Sequence, residues 1–197
     1  MSLATDVELV ESARGGDRKA MDQLLRRHHD RVFAVCRRIT GNEADAADAS
    51  QEALISIVRS LGKFDGRSSF GTWVYRIATN ASLDELRRRR RRPSVGMTES
   101  VGHDVAHDIV DPDAGVRIDV VAERMAIDVA LAALPEDFRV VIVLRDLAGL
   151  DYGEIAEVVG IPVGTVKSRI ARGRANLSEL LRSGNHPGPD ERPTPAP

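Results

Sequence analysis

The sequence contains one cysteine, Cys36, and no apolar run of the roughly eighteen residues that a membrane-spanning helix needs. A lone thiol excludes an internal disulfide and any cysteine-rich zinc site. Cys36 lies in a helical pattern beside Val32, Phe33 and Ile39, where it suits a small core hydrophobe. The opening MSLATDVELVESARGGD is too acidic and too broken for a signal peptide, so a cytoplasmic chain with no direct membrane insertion is expected. Signatures of catalysis are missing as well: there is no GxxxxGK(S/T) phosphate loop, no HExxH, no GxSxG and no cysteine–histidine metal spacing. No enzyme activity, cofactor or metal is predicted. His103 and His107 fall four apart in a stretch with no sustained period, which does not make a metal site.

What is present is strong segregation of charge. The formal net charge is only -2, but Thr40 to Val58 carries Glu43, Asp45, Asp48 and Glu52 with no base, whereas Arg87 to Arg92 is six consecutive arginines. Pro93 to Ile118 is acidic again, and Val163 to Arg182 sets Lys167, Arg169, Arg172, Arg174 and Arg182 against Glu179 alone. Two basic patches separated by an acidic stretch predict two sites for anionic ligands on one chain.

Strand alternation, internal repeats and heptad runs are absent, and helical spacing recurs throughout, so the fold class is all-α. Thr5 with Glu8 reads as a capping box, Gly15-Gly16 ends that helix, and Asp17 caps the next, which carries Met21, Leu24, Leu25, Val32, Phe33, Cys36 and Ile39 inward and stops at Gly41. A third helix, about Glu43 to Leu61, turns Ala49, Ala53, Leu54, Ile57, Val58 and Leu61 to the core and leaves an acidic face free. A fourth begins near Ser69 or Phe70, with Phe70, Trp73, Val74, Ile77, Ala81 and Leu86 inward, and runs into the arginines before Pro93. Residues 93–118 read as a flexible linker. It divides a first domain, 1–92, from a second, 119–183; the tail 184–197 is too polar and proline-rich to build a core.

The second domain holds LDYGEIAEVVGIPVGTVKSRIARGRANL. Ile155, Val158 or Val159, Ile161, Val166 and Ile170 supply contacts for two short helices crossing at a tight turn, Ala156 permits close approach, and Gly160 suits a left-handed turn position. This is a helix-turn-helix pattern. With Val166 and Ile170 inward, its second helix displays Thr165, Lys167, Ser168, Arg169, Arg172 and Arg174, side chains that suit a DNA major groove.

Here the chain resembles bacterial RNA polymerase sigma factors of the extracytoplasmic-function (ECF) group. GTVKSRIARGRANL is similar to their −35 recognition helix, DASQEALISIV to their polymerase-binding helix, and FDGRSSFGTWVYRIATNASLDELRRR to their −10 recognition and melting segment. The resemblance spans Thr5 to about Leu181. It implies that Asp48, Gln51 and Glu52 contact the β′ clamp helices of core polymerase, with the β flap a further contact of the chain. For the −10 strand it implicates the loop Lys63 to Ser69 and the exposed side of the following helix. An extruded base needs hydrogen-bonding groups and an apolar or aromatic wall, which makes Phe64, Ser68, Ser69, Tyr75, Arg76, Thr79 and Asn80 the candidates. Asn80 stands out because one amide both donates and accepts. Trp73 sits on the apolar stripe and reads as core.

At the −35 element the resemblance turns Lys167, Ser168, Ala171 and Arg172 to base edges and Thr165, Arg169 and Arg174 to phosphates. Arg87, Arg88, Arg89, Arg90, Arg91 and Arg92, directly after the −10 segment, read as a phosphate clamp. Two features depart from the family pattern: Ala171 is small, and Gly173 costs a recognition helix about 1 kcal/mol. An anti-sigma factor, often membrane-anchored, and a stress-response role are further implications. The linker reaches at most about 85 Å extended, and promoter elements about 17 base pairs apart lie roughly 60 Å apart, so it joins the domains across a promoter when stretched. Alternatives are an autonomous dimeric helix-turn-helix regulator, disfavoured by the polymerase-facing first half, and a protein-only adaptor, which would not need the basic helix.

Overall fold

The computed structural model describes residues 4–91 and 114–184, with side chains from 124 onward in the second stretch. Every element among them is helical. The tail beyond 184, Arg92, and His103 and His107 lie outside the described residues, as does most of the expected linker.

The first domain is built from α1 (Asp6–Arg14), α2 (Arg18–Thr40), α3 (Glu43–Ser60), a tight turn Leu61–Lys63, and α4 (Phe70–Arg91). Short polar side chains start the helices. Thr5 and Glu8 form the capping box, Asp17 accepts from the amides of Lys19 and Ala20, and Asn42 accepts from that of Asp45, each satisfying donors that a helix N-terminus leaves unpaired. Gly41 ends α2 at φ 81°, a left-handed conformation that suits glycine. α2, α3 and α4 pack mutually, and Ala46, Ala49 and Ala53 along α3 let it come close to its neighbours. Phe64, Phe70 and Trp73 form an aromatic cluster under the loop that precedes α4.

The second domain comprises α5 (Ala114–Ala133), α6 (Glu136–Ile142) continuing into a wide π-type turn Val143–Leu147, α7 (Tyr152–Val159) and α8 (Val163–Gly184). α5 takes in residues 114–118, which sequence periodicity assigned to the linker; a proline and an aspartate just upstream obscured the helix start. Ile155, Val158, Val166 and Ile170 are buried where α7 crosses α8, and Gly160 turns between them at φ 73°.

Gly173 now has a physical account. It is buried in α8, and a Cβ there would lie 2.7 Å from Ile142 Cδ1 and 3.0 Å from Phe138 Cβ of α6. The helix tolerates glycine because only glycine lets α6 approach. Gly173→Ala should therefore lower stability by about 1–3 kcal/mol through overpacking, against the helix-propensity gain of about 1 kcal/mol. Urea unfolding of the full chain measures this, and a rise in midpoint would refute the packing argument.

The structure corrects the sequence-derived core on two helices, α3 and α4. Val58 is 45% exposed, and α4 is turned from its apolar stripe: Thr72, Tyr75, Thr79, Ser82 and Glu85 are buried, while Trp73, Ile77, Ala81 and Leu86 are only partly so. Pattern analysis counts apolar residues, but α4 is covered on one side by α2 and α3 and on another by α7. Small hydroxyl side chains fit such a crowded face; the Ser82 hydroxyl donates to the Ala78 carbonyl at 2.8 Å.

Candidate nucleic-acid and protein interfaces

The helix-turn-helix presents Lys167, Ser168, Ala171 and Arg172 on the exposed side of α8, with Thr165 partly buried. α7 is fixed by a second capping box, in which the Asp151 carboxylate accepts from the Glu154 amide at 2.8 Å and Glu154 accepts from the Asp151 amide at 2.9 Å. Arg169 and Arg174 are tied within the domain: Arg169 holds Asp137 at 2.7 Å, and Arg174 holds Asp146. Asp146 raises the pKa of the Arg174 guanidinium. Both arginines thus anchor α8 to α6 and its following turn, and such exposed pairs exchange readily for a phosphate. Sequence inspection missed Tyr152, whose ring lies under Arg145 at 4.9 Å and Lys167 at 5.7 Å. No local pattern signals that contact, because the three residues meet only after the turn and α8 fold back.

On the first domain, the loop before α4 borders a cleft of about 690 Å³ lined by Phe64, Ser68, Ser69, Gly71, Thr72 and Tyr75, with His28 and Arg31 of α2 and residues of α1 beside them. Phe64 and Tyr75 are buried but contribute its wall. Ser69 caps α4, its hydroxyl accepting from the Thr72 amide at 3.0 Å. His28 is buried edge-on to Phe70, with Nε2 2.9 Å from an Asp6 carboxylate oxygen. Thr79 does not reach this surface. It is completely buried, with its hydroxyl lacking a partner among the described residues, so it is a core residue and not a DNA-facing one. Arg76 and Asn80 are exposed on α4, one turn apart.

Asp48, Gln51 and Glu52 are all exposed on α3, opposite its buried alanines. The partly buried Ile55 and the exposed Val58, which sequence periodicity had turned inward, continue this strip at helical spacing and give it an apolar end.

The arginine run continues α4 to Arg91, and several of its members hold carboxylates. Arg87 pairs with Asp84 at 2.9 Å, Arg88 with the buried Glu85 at 2.7 Å, Arg89 with Asp45 at 3.0 Å and Arg90 with Glu136 of α6 at 2.7 Å. The run is less naked than its sequence implies.

Comparison with known proteins supplies the frame for these surfaces. Residues 24–92 match Sigma-70 region 2 and residues 124–177 match Sigma-70 region 4. The ECF RNA polymerase sigma factor SigM of Mycobacterium tuberculosis is 36% identical over 177 residues, covering 90% of this chain and 85% of its own. The ECF RNA polymerase sigma-E factor of Haemophilus influenzae is 38% identical over 183 residues, covering 90% and 96%. Among solved structures, CnrH in complex with the cytosolic domain of CnrY aligns with a TM-score of 0.62 at 27% identity, covering 89% of this chain and 96% of CnrH.

Proposed function

The chain belongs to the ECF sigma factors of bacterial RNA polymerase, and from that premise we propose how its surfaces divide the work of initiation. It is an alternative sigma factor that directs promoter-specific transcription initiation by core polymerase. Members of this family are non-catalytic initiation factors, and we assign this chain no chemistry of its own. Among the described residues no helix is long and apolar enough to cross a membrane. None of their acidic, histidine or cysteine side chains cluster as a metal site.

The observation that carries the assignment of surfaces is that three exposed faces of different chemistry share one chain. Asp48, Gln51 and Glu52, with Val58 as an apolar anchor, dock on the β′ clamp helices. A polar and acidic rim around an apolar contact suits register and encounter with a basic partner. Ser68, Ser69, Arg76 and Asn80, with Phe64 and Tyr75 as aromatic wall, hold the unstacked −10 strand. Lys167, Ser168, Ala171 and Arg172 read −35 base edges, while Thr165, Arg169 and Arg174 meet phosphates. Arg87 to Arg90 exchange their carboxylates for phosphates beyond the −10 reader, Arg91 joins them, and Arg92 follows from the sequence alone. The β flap remains a further contact on the polymerase. The similarity to CnrH, solved in complex with the cytosolic domain of CnrY, supports a regulatory protein partner; we assign that partner to the anti-sigma type, holding the chain in the cytoplasm or at the membrane until a stress signal arrives.

Run-off transcription with core polymerase and a library of unrelated promoters tests the whole scheme. Sequence-specific initiation only when this chain is added is expected, whereas specific gel shifts without polymerase would favour an autonomous regulator. Within the −35 reader, Arg172→Ala should cost about 1–3 kcal/mol and relax one promoter position, whereas Arg174→Ala should weaken all sequences alike. Competitive binding of holoenzyme to a randomised −35 library separates the two. Loss of discrimination in both variants would reverse the assignment.

A further inference from the structure

Three of the cations along α8 have partners within the second domain: Arg169 holds Asp137, Arg174 holds Asp146, and Arg182 donates to the Ser178 hydroxyl at 3.0 Å. The side chains of Lys167 and Arg172 are exposed and form no ion pair or hydrogen bond among the described residues. These are also the two cations assigned to −35 base edges. They differ in chemistry. A guanidinium is a planar fork whose donors orient themselves on the two acceptors of a guanine edge, whereas an ammonium is a point charge on a flexible stem. The fork carries its own direction. The ammonium takes direction from its surroundings or goes to the nearest phosphate.

Lys167 has such surroundings in Tyr152. Its Nζ lies over the tyrosine ring at 5.7 Å from the centroid, within the range in which the ring quadrupole attracts a cation. The ring is itself held. Tyr152 opens α7, and the capping box of Asp151 and Glu154 sets the backbone around it. Arg145 lies over the same ring at 4.9 Å, and its Nη1 donates to the Leu150 carbonyl at 2.7 Å, which ties that guanidinium to the chain leading into α7. Tyr152 is partly buried, so a restrained platform carries a lysine that stands at the surface.

We propose that Tyr152 is a positioning residue for promoter selection: its ring directs Lys167 to a −35 base edge and away from the phosphates, so that a lysine contributes sequence discrimination as well as charge. This rests on the assignment of Lys167 to the base edges. A lysine gives up much rotamer freedom when fixed on a base, and a platform that restricts it in the free protein lowers that cost. The effect falls on discrimination because a Lys167 released from the ring keeps its charge and meets any phosphate, whatever the sequence.

Competitive binding of holoenzyme to the randomised −35 library tests this, with binding to a duplex that holds no promoter read in parallel. Lys167→Ala identifies the base position that depends on the ammonium. Tyr152→Leu should lower discrimination at that same position about two- to fivefold, as expected for a cation over an aromatic ring at an exposed site. The other positions and the affinity for promoter-free duplex should stay as in the parent. Tyr152→Phe keeps the aromatic face and should keep the parent's discrimination. In the Lys167→Ala background Tyr152→Leu should have no further effect, since the pair acts as one unit. A circular dichroism melt confirms that each variant is folded, and Tyr152→Met, equally without a ring but more adaptable in packing, should reproduce the leucine result. A loss spread evenly over all sequences, or one that persists without Lys167, overturns the proposal and leaves Tyr152 a structural residue. A loss in Tyr152→Phe overturns it in favour of the phenol hydroxyl meeting DNA directly. An unchanged library profile for Lys167→Ala is a separate failure: it removes Lys167 from the base edges and the positioning role with it, while Arg172→Ala still judges whether α8 reads the −35 element.

Discussion

Reversing Asp48 and Glu52 to lysine together should abolish assembly with core polymerase while leaving the helical fold in place. Both side chains are exposed on α3, and the residues that bury this helix, Ala46, Ala49, Ser50, Ala53 and Ile57, lie on its other side. The local cost is small, since both positions lie beyond the first turn of α3, where the helix dipole has fallen off. The cost at an interface is different in kind, because like charges brought together there cost several kcal/mol. Asn42, Glu43 and Asp45 still cap and charge the start of α3. Fluorescence anisotropy against labelled core polymerase, paired with a thermal melt by circular dichroism, reads both sides of the expectation. Unchanged polymerase affinity in a folded variant would remove this face from the interface.

Asn80→Ala should cripple promoter opening with little effect on assembly. Arg76, Asn80, Asp84 and Arg87 are exposed at successive turns of α4, a strip that leads from the loop face into the arginine run. Within it Asn80 alone carries both a donor and an acceptor in one planar group, which suits a base edge. Losing such a contact costs about 1–3 kcal/mol, or on the order of ten- to a hundredfold in open complexes. Alanine is the better helix former, so the variant should fold at least as well as the parent. Permanganate reactivity of −10 thymines reports opening, and the anisotropy assay reports assembly; equal losses in both would show that Asn80 acts through the polymerase interface instead.

The family and most of the elements were legible before folding because they are written locally. Capping residues at Thr5 and Asp17, helix stops at Gly41 and Gly160, and the apolar spacing of Ile155, Val166 and Ile170 are short-range signals, and each sits where local physics requires. The exposure of Asp48, Gln51, Glu52, Lys167, Ser168 and Arg172 follows from the same periodicity, since a helix with one buried stripe leaves the rest to solvent. Beyond Val58 of α3 and the start of α5, periodicity failed on α4. Thr79 and Ser82 look polar along the chain and are buried in space, because a helix enclosed on several sides has no single apolar stripe to find.

The sequence by itself therefore determined the helices, their caps, the helix-turn-helix and the chemistry of each exposed face, all of which depend on residues within a few turns of one another. Only the tertiary structure decided why Gly173 must be glycine, which acids the arginine run holds, and that Arg139 and Glu154 of the second domain meet Ile39 and Thr72 of the first. Most of those outcomes join residues 44 to 100 positions apart, as in Arg89 with Asp45, Thr72 with Glu154 and Ile39 with Arg139, or depend on a fraction of an ångström between two helices. A pattern of charges and apolar positions carries no information about which distant partner a side chain will meet.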